Sequence, residues 1–359
     1  MDEQNKPAEP ADALSDTEIE RLIASSTLPT NLSMHFLGFQ SKEDAEKLAD
    51  ILGSFLRLFG TFLNLERLDA VTVAYDYDTA LKEVDRGTVC QELTATNDTF
   101  ARGVSMAVRV LREGQVKCHL VVAADLMNYL LQPSNTNYKL AIGLLAHEAA
   151  HVHDLRTQDR AFPNVLMEYR CGYREAKFLE IAHGCWDEYA ACRLSAQFEF
   201  EDQLNWFEDT FCSCAEEVKE RSNKHIQQYR WHGDLNKLVP QVVAEYGPVL
   251  KYAGYLLGHL DGLGLSIEKD APKANELVNR KRYFTPIFEE LVACLKSMWA
   301  TYGNWPGLQV FDPLKDVADK LLRAGGIEIE ERPDGGAHVN VPFSPETMPR
   351  PEQYNSNYC

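Results

Sequence analysis

A chain of 359 residues that is 45% hydrophobic and 25% charged has the composition of a folded globular protein, not of a disordered, fibrous or membrane-embedded one. Lys and Arg number 36 against 54 Asp and Glu, a formal net charge of −18. That shortage of basic side chains excludes a protein whose main work is to neutralise nucleic-acid phosphates.

The first fifteen residues are acidic and rich in Pro and Ala, and read as a flexible leader lacking the basic and apolar regions of a secretory signal. Nine cysteines, from Cys90 to Cys359, fall at irregular spacings, as reduced thiols of a cytoplasmic protein do. Asp16 and Thr17 can cap a short helix, and the periodic run Lys42 to Leu65 reads as an amphipathic one. Leu68 to Tyr75 is short and β-branched, a strand, and a helix follows it to about Gly87. Val104–Leu111 and Val116–Ala123 flank Arg112-Glu113-Gly114-Gln115, a hairpin.

From Asn137 the period becomes helical and stays so, with few breaks, to about Ala324. The most apolar stretch, Tyr246 to Ile267, carries Lys251, His259, Asp261 and internal glycines, so no membrane span is expected. Two alternating runs between Gly326 and Phe343, around Pro333-Asp334-Gly335-Gly336, predict a second hairpin before a loose tail, 344–359. The expected fold is therefore α+β. A unit over 16–200 carries a small N-terminal sheet packed on one helix; a helical subdomain over 201–325 and a hairpin over 326–343 follow.

His147-Glu148-Ala149-Ala150-His151 lies inside the helix predicted over 137–155. Positions i and i+4 share one face, so both imidazoles can close on a single Zn²⁺, and Glu148 between them can hold a water. Burying two imidazoles and a carboxylate in an apolar helix is costly without a partner, which favours a metal. A catalytic zinc needs a third protein ligand and an open fourth position. Glu188 is the first choice: Ala191, Cys192 and Ser195 share its helical face and would let that helix approach closely. Asp159, Glu180, His183 and Asp187 are the other candidates. Asp154 stands too far along the helix from His147 to share its tetrahedron and suits an acceptor that orients an imidazole. His153 points away from the metal face, and Cys212-Ser213-Cys214 lacks the spacing of a structural zinc site. Tyr246, Tyr252, Tyr255 and His259 read as core. Tyr169, Tyr173, His225, Tyr229 and His232 are all available to stabilise an oxyanion.

An H-E-x-x-H helix behind a small sheet, with a later helix bearing Glu188 and Ala191 as E-x-x-A, resembles the gluzincin metallopeptidases. The likeness is to minimal domains of the ImmA/IrrE type and to the E-x-x-A-bearing CAAX-protease type, over about residues 68–200. It implies Zn²⁺ on His147, His151 and Glu188, Glu148 as general base, and hydrolysis of a peptide bond in a protein or peptide substrate. The absence of spans argues against a membrane protease. A non-catalytic metal-stabilised module and a zinc amidohydrolase acting on a small molecule are the two other readings of the same residues.

Overall fold

The computed structural model of the chain describes residues 16–349 except 90, 91, 96–99, 101, 164, 168, 199 and 201; the expected leader and residues 350–359 lie outside that description. The architecture is α+β, with a small N-terminal sheet, a mainly helical C-terminal half and a terminal hairpin.

After a short helix, α1 (Asp16–Ala24), the chain forms β1 (Ser33–Leu37), an element additional to the sequence reading. Only Met34 and Phe36 pack inward, while Ser33, His35 and Leu37 are exposed, so the strand carries too few apolar residues to announce itself. Helix α2 (Lys42–Phe59) starts at Ser41, which accepts from the Asp44 N–H. It ends at Gly60 and not at Leu65; the Gly60 N–H bonds the Leu56 and Leu58 carbonyls, and a Cβ there would run into the Ser26 hydroxyl. β2 (Leu68–Ala74) pairs in parallel with β1, and α3 (Tyr77–Lys82) follows behind an Asp76 cap, shorter than expected. β3 (Ser105–Arg112) and β4 (Gln115–Ala123) form the expected hairpin. Its two turn residues, Glu113 and Gly114, both have positive φ, 51° and 75°, the combination whose twist matches antiparallel strands.

The strand order is β1-β2-β4-β3, which leaves β3 on an edge. One face of the sheet buries Val71, Val73, Leu120 and Val122 against Leu48, Leu52, Leu145 and Ala149. Those partners come from α2 and, after the single turn α4 (Ala124–Met127), from α5 (Tyr138–Ala161). The second core is helical: α6 (Tyr173–Ser195), α7 (Gln203–His232) and α8 (Leu235–Leu263) pack together, and α9 (Ile267–Asp270), α10 (Pro272–Arg280), α11 (Thr285–Ala300) and α12 (Asp312–Ala324) follow. This core takes in α6 itself, ahead of residue 200. β5 (Glu328–Glu331) and β6 (Ala337–Asn340) form the second hairpin, docked on the start of α6 through Tyr173 N–H to Gly335 O, 3.1 Å, and Arg174 Nε–H to Ile329 O, 2.8 Å. The described start of the expected tail is packed: Thr347 is buried, and the Glu346 carbonyl accepts from Gln227 of α7 at 2.8 Å.

Contact between α6 and α8 is unusually close, and glycine is the reason. A Cβ at Gly254 would run into the Cys185 carbonyl, one at Gly258 into the Tyr189 carbonyl, and one at Gly262 would stand 2.6 Å from the Arg193 carbonyl. These are backbone atoms and cannot swing aside. Gly258→Ala should therefore destabilise the fold by about 1–3 kcal/mol, as overpacking does, despite alanine's better helix propensity. A thermal midpoint equal to wild type would contradict this packing.

Candidate metal centre

The middle of α5 and the second half of α6 face each other behind β3, and three side chains meet there. His147 Nε2 and His151 Nε2 are 3.1 Å apart, and Glu188 Oε2 lies 3.2 Å from the first and 3.5 Å from the second. A tetrahedral ion with bonds of about 2.0–2.1 Å needs ligand atoms separated by about 3.3–3.4 Å, so this triangle has the size of one tetrahedral face. Among the described residues it is the cluster of three or more His, Cys, Asp or Glu side chains able to hold a metal. The expected approach of the two helices is present: Ala191 is fully buried and Cys192 Sγ sits 3.7 Å from His147 Nδ1.

Glu188 Oε2 is buried with two ring nitrogens within 3.5 Å of it. Burial alone would raise the Glu188 carboxyl and lower the His151 imidazole. Contact between the two wins: Glu188 is held well below the usual carboxylate range by His147 and His151, and His151 rises to about 9 on the Glu188 side chain. Without a metal, His151 keeps a proton at neutral pH that a cation would replace.

Glu148 is buried beside the triangle. Its Oε1 accepts from Ser105 Oγ at 2.5 Å, and its Oε2 has no partner among the described residues. One oxygen is thus fixed by the first residue of the edge strand, and the other is free for a water or a substrate proton.

The other sequence candidates for the third ligand are engaged elsewhere. Asp159 pairs with Arg67 at 3.2 Å, Glu180 with Lys177 at 2.8 Å, and His183 stacks on Phe311 with centroids 4.2 Å apart. Asp187 accepts from Arg109 at 2.8 Å and from Gln158 at 2.9 Å. His153 does face away, accepting from the Asn64 N–H at 2.7 Å. Cys214 is buried and Cys212 half-buried on α7. Of the residues read as available to an oxyanion, His225 bonds Glu245 at 3.0 Å and Tyr229 packs edge-on against His232.

Asp154 departs from expectation. Its oxygens accept from Gln158 at 2.7 Å and from the Tyr302 hydroxyl at 2.9 Å, not from an imidazole. It therefore ties α5 to the segment after α11 instead of orienting a ligand. Burial, reinforced by the Asp187 charge, pushes its carboxyl up to about 7. The folded chain thus binds this proton more tightly than the unfolded chain, whose Asp titrates near 4, so stability falls as pH rises from about 4 to about 7. Asp154→Asn cannot ionise, and its thermal midpoint should fall less than that of wild type between about pH 5 and about pH 8. Equal falls would contradict a neutral Asp154 in the native state.

Four residues of this neighbourhood carry no local sequence signal. Ser105 holds Glu148. Tyr255, read as core, lies instead with its ring stacked on His147, centroids 5.5 Å apart and planes 10° apart, and its hydroxyl on Glu188. Lys251, one turn earlier on α8, brings Nζ to 4.0 Å from Glu188 Oε1. The Tyr77 hydroxyl is buried without a partner among the described residues, within range of the Glu148 charge. No protein-family model, curated protein or solved structure matches the chain.

Proposed function

We propose that the chain is a zinc metallopeptidase of the H-E-x-x-H kind, with His147, His151 and Glu188 as ligands and Glu148 as general base. The observation that carries this reading is the unpartnered Glu148 Oε2 beside a ligand triangle of tetrahedral size. A structural site has no use for a buried carboxylate oxygen without a hydrogen bond, since leaving it so costs about 1–3 kcal/mol or more. Zinc would supply Lewis acidity and lower the pKa of a bound water towards neutrality. Glu148 takes the proton of the attacking water on Oε2 while Ser105 holds Oε1, and returns it to the leaving amine.

The edge strand supports a peptide as substrate. The Glu113-Gly114 turn makes Arg112 and Gln115 a hydrogen-bonded pair, so Ser105, Ala107, Arg109 and Leu111 turn their backbone groups away from β4. Arg86 occupies the far end, accepting from the Leu111 N–H at 2.9 Å and donating to the Arg109 carbonyl at 3.0 Å. Ser105, whose hydroxyl bonds Glu148, and Ala107 keep theirs among the described residues, and an extended peptide can add there as a further strand.

We place the enzyme in the cytoplasm, acting on a protein or peptide and not on nucleic acid. The net charge and the seven free cysteines among the described residues support this, and no helix described is long and apolar enough to cross a membrane. The test is a proteome-derived peptide library incubated with the zinc-loaded chain. New termini should form with wild type and vanish after removal of the metal by chelation. Termini that persist without metal would overturn the reading.

A further inference from the structure

Lys251 has no part in the assignment above, yet it faces the same site. Its side chain comes off α8, is about a quarter exposed, and has one carboxylate within ion-pair reach among the described residues, Glu188, at the long distance of 4.0 Å. Arg109, a cation on the edge strand, is paired with Asp187 at 2.8 Å. With Glu188 spent on a divalent ion, Lys251 loses most of its counter-charge. A dication, the Glu188 and Glu148 carboxylates and the Lys251 ammonium together leave one positive charge over in a shielded site, where an uncompensated charge is costly.

We propose that the missing negative charge comes with the substrate: the site takes a peptide bearing a carboxylate close to the scissile bond, and Lys251 recognises that carboxylate. This rests on the metal-site reading of the preceding section. Lysine suits the role as a flexible point charge that can follow the carboxylate. The carboxylate belongs either to the peptide's C-terminus or to an acidic side chain, and both present the same group to Nζ.

The assignment is testable with three hydroxamates on one succinyl-alanine frame: one with a free C-terminal carboxylate, one amidated, and one amidated with glutamate replacing alanine. Binding to the zinc-loaded full chain is read by calorimetry, so no substrate is required. Wild type should bind one of the two carboxylate probes about tenfold or more tightly than the neutral one, the size a charge-assisted contact supports. Which of them is preferred names the source of the carboxylate. In Lys251→Met the preference should vanish while the neutral probe binds as before, and Lys251→Arg should restore part of it. A lysine that only neutralised Glu188 would shift all three probes together. Equal binding of the three by wild type overturns the inference without need of a variant, as does a preference that survives in Lys251→Met. Failure of every hydroxamate to bind overturns the metal reading, and this one with it.

Discussion

Glu148→Gln should lower turnover by roughly 10²- to 10⁴-fold, the contribution of a general base, while metal content and thermal midpoint stay at wild-type values. The amide keeps an oxygen for Ser105 Oγ, which now lies 2.5 Å from Oε1, and so keeps the packing of α5 against the start of β3. What it loses is the basic oxygen at Oε2, which has no other partner. The comparison of cleavage rate with metal content separates the two roles open to a buried carboxylate. A rate unchanged in Glu148→Gln would make the residue structural; metal lost along with the rate would make it a ligand.

Glu188→Ala should cut zinc affinity by roughly 10³-fold or more, well past the 10- to 100-fold of an outer-shell partner. The side chain supplies one of three ligand atoms, and its removal leaves two imidazoles on one helix with no anion opposite them. Asp159→Ala is the natural contrast, because Asp159 is engaged by Arg67 at 3.2 Å and should leave zinc affinity within a fewfold of wild type. Competition with a calibrated chelator measures both. Parity between Glu188→Ala and wild type would remove Glu188 from the site.

Much of the centre is legible in the sequence because it is local. His147, Glu148 and His151 lie within two turns of a helix, and 3.6-residue geometry alone decides which way they face. Glu188 is legible more weakly, through the small residues Ala191, Cys192 and Ser195 that let its helix come near. The hairpin turns were equally plain, since Glu113-Gly114 and Pro333-Asp334-Gly335-Gly336 each offer the positive φ that a tight turn needs, at Gly114 and Gly335 among others.

What escaped depends on contacts between distant segments. Ser105 reaches Glu148 across 43 residues of chain, and nothing near Ser105 distinguishes it from any strand-end serine. Tyr255 and Lys251 sit on a helix whose aromatic face has the spacing of ordinary core; that one ring lies on His147 follows from how α8 packs on α6, and the close approach at Gly254 and Gly258 sets that packing. The sequence offers Asp154 as an acceptor for an imidazole. Its oxygens were nevertheless taken by Gln158 and by Tyr302, the latter 148 residues away, and no helical periodicity contains that competition. β1 went unread because an edge strand with one buried face needs only Met34 and Phe36 to hold it.

Zinc K-edge X-ray absorption on protein purified without exposure to chelator tests the central claim most directly. About one zinc per chain is expected, in a shell of nitrogen and oxygen at about 2.0–2.1 Å with no sulfur at about 2.3 Å. The absence of sulfur matters here, because Cys192 Sγ lies 3.7 Å from His147 Nδ1, the ring nitrogen outside the ligand triangle, and so belongs to the outer shell. A spectrum without zinc or another transition metal, or one with a sulfur shell, would contradict the His147, His151 and Glu188 site.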